Sequence, residues 1–174
     1  MDTQEAGVAE FTRSGLEAAG FSGFVDIARL RASGCSLVPK EPGVYALLRN
    51  TTEPPTFLQS SIGGHYDGRN PTVQVDELKQ NWIEGARVVY IGKAGTFGKK
   101  TPTLRRRLSL YMRFGAGKAC AHWGGRYIWQ LAECDDLLVA WKPLSLNHDP
   151  LAVERHLIGQ FVMLYGKMPF ANLL

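Results

Sequence analysis

Arg107 and Tyr111 stand four residues apart, a spacing that brings two side chains out beside one another on one face of a helix. A guanidinium is a permanent cation whose planar fork of donors matches phosphate or carboxylate oxygens. Glu154 poses a sharper question. It falls in a segment, residues 150 to 165, in which Leu151, Leu157, Ile158, Phe161 and Tyr165 lie within about 60° of it on a helical wheel. A carboxylate in the middle of an apolar stripe is costly to bury alone, so it calls for a cation, a metal ion or hydrogen-bond donors. An ion pair, for instance with Arg107, would be a structural solution; a metal ligand would be a catalytic one.

Charge placement points to a polyanion. The net charge is only +4, yet residues 85 to 132 contain Arg87, Lys93, Lys99, Lys100, Arg105, Arg106, Arg107, Arg113, Lys118 and Arg126 with no Asp or Glu. The flanking segments are net acidic. A charge run is often no more than a solvated helix face. Here the glycines of the same stretch let backbone approach a ligand, which favours a phosphate backbone as partner, with Lys99, Lys100, Arg105, Arg106, Arg113 and Lys118 as its contacts.

The elements that must carry these groups follow from local patterns. Val88, Val89, Tyr90 and Ile91 have strand composition, Gly92 and Gly95 permit a turn, and residues 98 to 102 read as a loop. Thr103 is a helix cap, and Leu104, Leu108 and Met112 recur at helical spacing behind it. An earlier strand begins at Gly43, with Val44, Ala46 and Leu48 on one face and Tyr45 and Leu47 on the other; Val88, Tyr90 and Gly92 are expected to share a face of its companion. Between them lie residues 50 to 86, ending in a short helix with Asp76 as cap and Leu78, Trp82 and Ile83 inward. Such an insert is either a cover or reading element for the site, or a surface elaboration. The stretches RYIWQLAE and DLLVAWKPL alternate as a hairpin joined by CDD, and His122 and Trp123 before them read as an aromatic plug beside the core in preference to contacts with a substrate base or phosphate. Asp149 and Pro150 open the last helix, which ends at Gly166.

Length and composition set outer bounds. The 174 residues, 45% apolar and 21% charged, suit one domain with an extension. No apolar run approaches a membrane span and the polar start, residues 1 to about 9, is expected to be frayed and lacks the order of a signal peptide, so a cytoplasmic location is expected. Cys35, Cys120 and Cys134 form no CxxC pair and are expected as small buried or semi-exposed thiols.

Gly43-Val44-Tyr45 and Tyr90-Ile91-Gly92 resemble the paired tripeptides that give the GIY-YIG endonucleases their name. Lys93, the Arg107-Leu108 pair, Tyr111, Glu154 and Asn172 fall in that family's order, and the spacings from Tyr90 to Lys93 and from Arg107 to Tyr111 are most similar to the amino-terminal nuclease domain of the bacterial repair protein UvrC. The resemblance implies an α+β fold, a small antiparallel sheet of three or four strands flanked by helices, over residues 39 to 174, with residues 1 to 38 as an extension packed on it. The insertion at 50 to 86 departs from the family's short connection. The resemblance further implies a metal-dependent endonuclease acting on DNA through Tyr45, Tyr90, Lys93, Arg107, Tyr111, Glu154 and Asn172. Glu154 would hold Mg²⁺ or Mn²⁺, Arg107 would brace the phosphate, and Tyr45 or Tyr90, helped by Lys93, would take the proton of water. Tyr111 and Asn172 would orient water or phosphate. The alternative is a non-cleaving nucleic-acid-binding module on the same scaffold. With no second DNA-binding domain visible, specificity is expected from a protein partner or a homodimer.

Overall fold

The computed structural model describes residues 7 to 173, and residues 1 to 6 of the expected frayed start lie outside them. Four strands form one antiparallel sheet in the order β1-β4-β2-β3: β1 (Ser22–Asp26), β2 (Gly43–Leu48), β3 (Val88–Ala94) and β4 (Leu138–Pro143). The expected α+β architecture is what forms. Helices α1 (Arg13–Ala18) and α5 (Pro150–Tyr165) cover one face, where Phe11, Leu16, Leu157 and Phe161 pack on Val44, Ala46 and Ile91. Helices α2 (Ile27–Ala32) and α4 (Leu104–Gly115), with the insertion, cover the other, around Tyr45, Leu47, Tyr90, Trp129 and Trp141. Burying a large apolar side chain contributes about 1.5 to 3 kcal/mol, and both faces of β2 are fully enclosed.

Both signature glycines are explained by close approach. A Cβ on Gly92 would sit 2.5 Å from the Tyr45 hydroxyl, because that ring lies across the β3 backbone. A Cβ on Gly43 would overlap the Lys142 carbonyl of β4 and come within 2.9 Å of Leu104 Cδ1. Only a residue without a side chain lets sheet and helix close at these points.

Several expectations need correction. Residues 1 to 38 do more than pack on the domain: β1 pairs with β4 and forms an edge of the sheet. Val8, within the segment expected to fray, is buried and its N–H donates to Gln160 Oε1 at 3.1 Å. RYIWQLAE is not a strand. Residues Arg126–Gln130 form a 3₁₀ turn entered through Gly125 at φ 74°, and Tyr127, Ile128, Trp129 and Gln130 are all buried, which an alternating strand with one solvated face would not allow. β4 pairs instead with β1 and β2. Val88 does not share the face of Tyr90, because a register shift between Leu47 and Leu48 breaks the alternation of β3. Helix α3 (Val75–Asn81) is capped by Gln74 without a side-chain bond, so Asp76 lies inside its first turn and not at its cap.

The insertion is bonded to the domain along its length. Leu58 and Ile62 donate to the carbonyls of Gln130 and Trp129 at 2.8 and 3.0 Å, and Gly64 donates to that of Phe114 at 2.8 Å. The buried amide of Gln130 donates to the carbonyls of Leu58 and Val73 and accepts from Val73 N–H. Arg49, 4% exposed, anchors its start by donating to Glu133 Oε1 at 2.8 Å and to the Glu53 carbonyl at 2.7 Å while lying over Trp82. Removing one partner of a buried pair leaves the other uncompensated, and Glu133 is partly exposed, so Arg49→Ala is expected to lower stability by about 2 to 4 kcal/mol. Denaturant unfolding measures this, and an unchanged midpoint would mean that the pair holds nothing in place.

Candidate active site

Three elements meet at the end of β3. Strand β3 is the outer strand of the sheet, and past Ile91, where the C-terminal segment no longer bonds it, side chains from both faces can reach around its edge. Tyr90 comes from the α4 face and Lys93, paired with Val44 in register, from the α5 face. Thr103 caps α4 by accepting from Arg106 N–H at 3.2 Å, which starts that helix where Arg107 reaches the same edge. Asp149 and Pro150 start α5 as the sequence indicates, and place Glu154 one turn in. Tyr90, Lys93, Ala94, Gly95, Thr96, Pro102, Arg107 and Glu154 line one pocket of about 390 Å³. Residues up to 64 positions apart in the chain are thus brought together, from Tyr90 and Lys93 through Arg107 to Glu154 near the start of α5.

Glu154 is half-buried and, among the described residues, has no ion pair; the ion pair with Arg107 that the apolar stripe allowed does not form. Burial raises its pKa, opposed by Lys93 first, then by Arg107 and Arg155. A carboxylate held in this way favours a bound proton or a second cation. The described residues contain no cluster of three metal-ligating side chains. One hard oxygen donor facing a polar pocket fits an ion that keeps most of its own water, as Mg²⁺ does, and does not fit a fully protein-caged metal.

The two signature tyrosines converge, with ring centroids 5.9 Å apart, but differ in access. Tyr90 lines the pocket, whereas Tyr45 is 0% exposed behind it. Burial pushes the Tyr90 hydroxyl well above its ordinary pKa and Tyr45 adds to the rise; among the cations, Arg107 opposes it. At Tyr45 burial also raises the pKa, while Arg107 and hydrogen bonding with Tyr90 pull it down. The cation that works on the tyrosines is therefore Arg107. Lys93, expected to favour a phenolate, acts on Glu154 and donates to the Gly95 carbonyl at 3.3 Å.

Three expected site residues are spent on the scaffold. The Asn172 amide accepts from Ile91 N–H at 2.9 Å and donates to the Ile91 carbonyl at 2.7 Å, sealing the outer edge of β3 instead of facing the pocket. Tyr111 is buried and its hydroxyl donates to the Gly125 carbonyl at 2.6 Å. Arg105 donates to the carbonyls of Val38 and Ser36, at 2.7 and 2.8 Å, tying α4 to the chain ahead of β2. Lys99, Lys100, Arg106, Arg113 and Lys118 remain exposed, but not as one patch. Arg113 lies roughly 9 Å further along α4 than Arg107 and lines the crevice with α2.

His122 is the aromatic plug that the sequence suggests, and it also reaches one of the two motif tyrosines. It is fully buried and stacks on Tyr111 with centroids 4.1 Å apart. Its Nδ1 lies 2.9 Å from the Gly124 carbonyl, which can only accept, so Nδ1 carries the proton. Nε2 then offers its lone pair toward the Tyr45 hydroxyl at 3.5 Å. The only signal in the sequence is a histidine among the glycines of residues 115 to 125, and nothing there ties it to Tyr45. Burial, with Arg107 adding to it, lowers the His122 pKa to about 3. An unfolded histidine titrates near 6.5, so between pH 6.5 and 3 the unfolded chain binds a proton that the folded one does not. Stability is expected to fall as pH falls through that window, by a few kcal/mol, and to fall less in His122→Gln. Unfolding midpoints of both proteins between pH 7 and 3.5 measure the difference; parallel curves would assign the acid sensitivity elsewhere.

No family model, curated protein or solved structure matches this chain.

Proposed function

We propose that the chain is a metal-dependent nuclease of the GIY-YIG type that hydrolyses phosphodiester bonds in DNA. The observation that carries the reading is the meeting, in one polar pocket, of an unpaired half-buried carboxylate, a guanidinium, a lysine and a tyrosine drawn from 90 to 154 in the chain. These are the residue types that phosphoryl hydrolysis uses: charge compensation on the phosphoryl oxygens, an acceptor for the proton of water and a ligand for a hard cation. The exposed Lys99 and Lys100, in the segment between the pocket residues Thr96 and Pro102, and the exposed Arg106, next to Arg107 in the chain, suit a nucleic-acid backbone.

Arg107 binds a non-bridging oxygen of the scissile phosphate, which its fixed charge and fork geometry favour. Tyr90, as the phenolate, takes the proton of the attacking water at its hydroxyl oxygen, and Arg107 offsets part of the burial that opposes this form. Glu154 with water molecules would hold Mg²⁺ or Mn²⁺, which when bound neutralises developing charge and makes water a better nucleophile. Asn172 and Tyr111 act through the scaffold, by fixing β3 and the 122 to 125 turn.

The competing reading is a non-cleaving nucleic-acid-binding module. It draws on the single carboxylate and on the burial that holds Tyr90 neutral. Incubation with supercoiled plasmid and with single-stranded DNA separates the two. Nicking or linearisation with Mg²⁺ or Mn²⁺ that stops in EDTA is the expected result; retention of DNA with no cleavage in either metal would favour the module. Among the described residues no helix is long and apolar enough to cross a membrane. Cytoplasmic action on DNA, with a protein partner or a second copy supplying specificity, completes the proposal.

A further inference from the structure

At the rim of the pocket the chain makes a tight turn. Lys99 N–H donates to the Thr96 carbonyl at 3.0 Å, and Gly98 takes φ 70°, a conformation open to glycine in the third position of such a turn. The residue this turn presents is Phe97. It is 60% exposed, the only aromatic among the exposed large apolar side chains of the described residues. Single exposed apolar residues are ordinary and prove nothing alone. This one differs in its setting. Gly95 and Thr96 on one side of it, and Pro102 on the other, line the pocket that holds Arg107 and Glu154. The exposed Lys99 and Lys100 follow it directly, and no acidic residue occurs between 85 and 132.

We propose that Phe97 is a base-stacking element, which receives an unpaired nucleobase of the strand whose phosphate enters the pocket. The inference rests on the nucleic-acid reading of this site and adds the class of substrate. A phenyl ring offers no hydrogen bond but stacks on any base, while lysines on the same turn meet the backbone on either side. A base inside a duplex already has a neighbour on each face, so stacking on Phe97 would require it to be unstacked first. A gap, flap or single-stranded segment next to the cut needs no such step. The preferred substrate is therefore DNA carrying an unpaired nucleotide beside the scissile phosphate.

The test uses the full chain in EDTA, to prevent cleavage, and oligonucleotide duplexes with 2-aminopurine either at one unpaired position or fully paired. The unpaired probe is expected to change its fluorescence on binding wild-type protein. Phe97→Ala should abolish that change and weaken binding of the unpaired probe roughly ten- to a hundredfold, with little effect on the paired duplex, and Phe97→Tyr should restore both. Phe97 packs into no core, so loss of folding does not confuse the result. Binding and a fluorescence change that persist unaltered in Phe97→Ala would overturn the proposal and leave the nuclease reading standing. No binding of either probe by wild-type protein would overturn both.

Discussion

Glu154→Gln is expected to yield a folded protein that still binds DNA and cleaves it at least about a thousandfold more slowly. Glutamine keeps the shape and an acceptor oxygen but loses the charge that holds a hard cation, and a bound metal is worth several kcal/mol of transition-state stabilisation at about 1.4 kcal/mol per tenfold. The geometry makes this variant clean. Among the described residues Glu154 pairs with no cation, so its removal strands no buried partner, unlike the case of Arg49 and Glu133. The carboxylate is half-buried and its pKa is raised by burial, so neutralising it should, if anything, stabilise the fold. DNA affinity in EDTA should hold or rise slightly as one negative charge leaves the pocket proposed to take the phosphate. Plasmid cleavage, thermal unfolding and binding on the same preparation decide the matter. Full activity would remove the proposed metal ligand, and with it the mechanism; a large loss of stability would show a structural bond that the geometry lacks.

The second large effect separates the two tyrosines. Tyr90→Phe is expected to reduce cleavage by about 10² to 10⁴, the usual contribution of a general base, with binding in EDTA little changed. Tyr45→Phe removes a hydroxyl that does not line the pocket and is expected to cost much less in rate. It does leave His122 Nε2 without its neighbour, so a modest loss of stability accompanies it. The rate profile adds an independent sign. Tyr90 is held above its ordinary pKa and in the proposed mechanism works as the phenolate, so the wild-type rate should climb as pH rises toward alkaline values and Tyr90→Phe should flatten that climb. Above pH 10 the same burial works against the fold, because unfolded tyrosines ionise there and the buried ones do not, so stability falls. Equal rate losses in the two variants would remove the distinction between a pocket tyrosine and a buried one.

How much of this was legible in the chain depends on the range of the interactions involved. Caps and periodicities are local, so Thr103, Asp149, Pro150 and Gly166 mark α4 and α5 correctly, and the alternation of Val44, Ala46 and Leu48 assigns β2 to its faces. Glu154 stands out for the same reason: a charge in an apolar stripe conflicts with its neighbours, and such conflicts cluster at functional sites. Alternation misled where burial comes from all sides, as in Arg126–Gln130, whose apolar residues fill a 3₁₀ turn between α4 and the insertion. Composition also could not say what each basic or amide group faces. Arg105 looks like its neighbours Arg106 and Arg107 in sequence, but one turns toward the carbonyls of Ser36 and Val38, one stays in solvent and one enters the pocket. Three successive residues on a helix point about 100° apart, and what lies in each direction is set by strands and loops far away in the chain. Asn172 and His122 make the point from opposite sides. Local pattern sufficed for β2, β3, α4 and α5 and for the carboxylate set in an apolar stripe; the tertiary structure alone decided that Ser22–Asp26 joins the sheet, that Asn172 is consumed by Ile91 and that His122 stands behind Tyr45, because the last two contacts span some eighty residues and no local pattern encodes them.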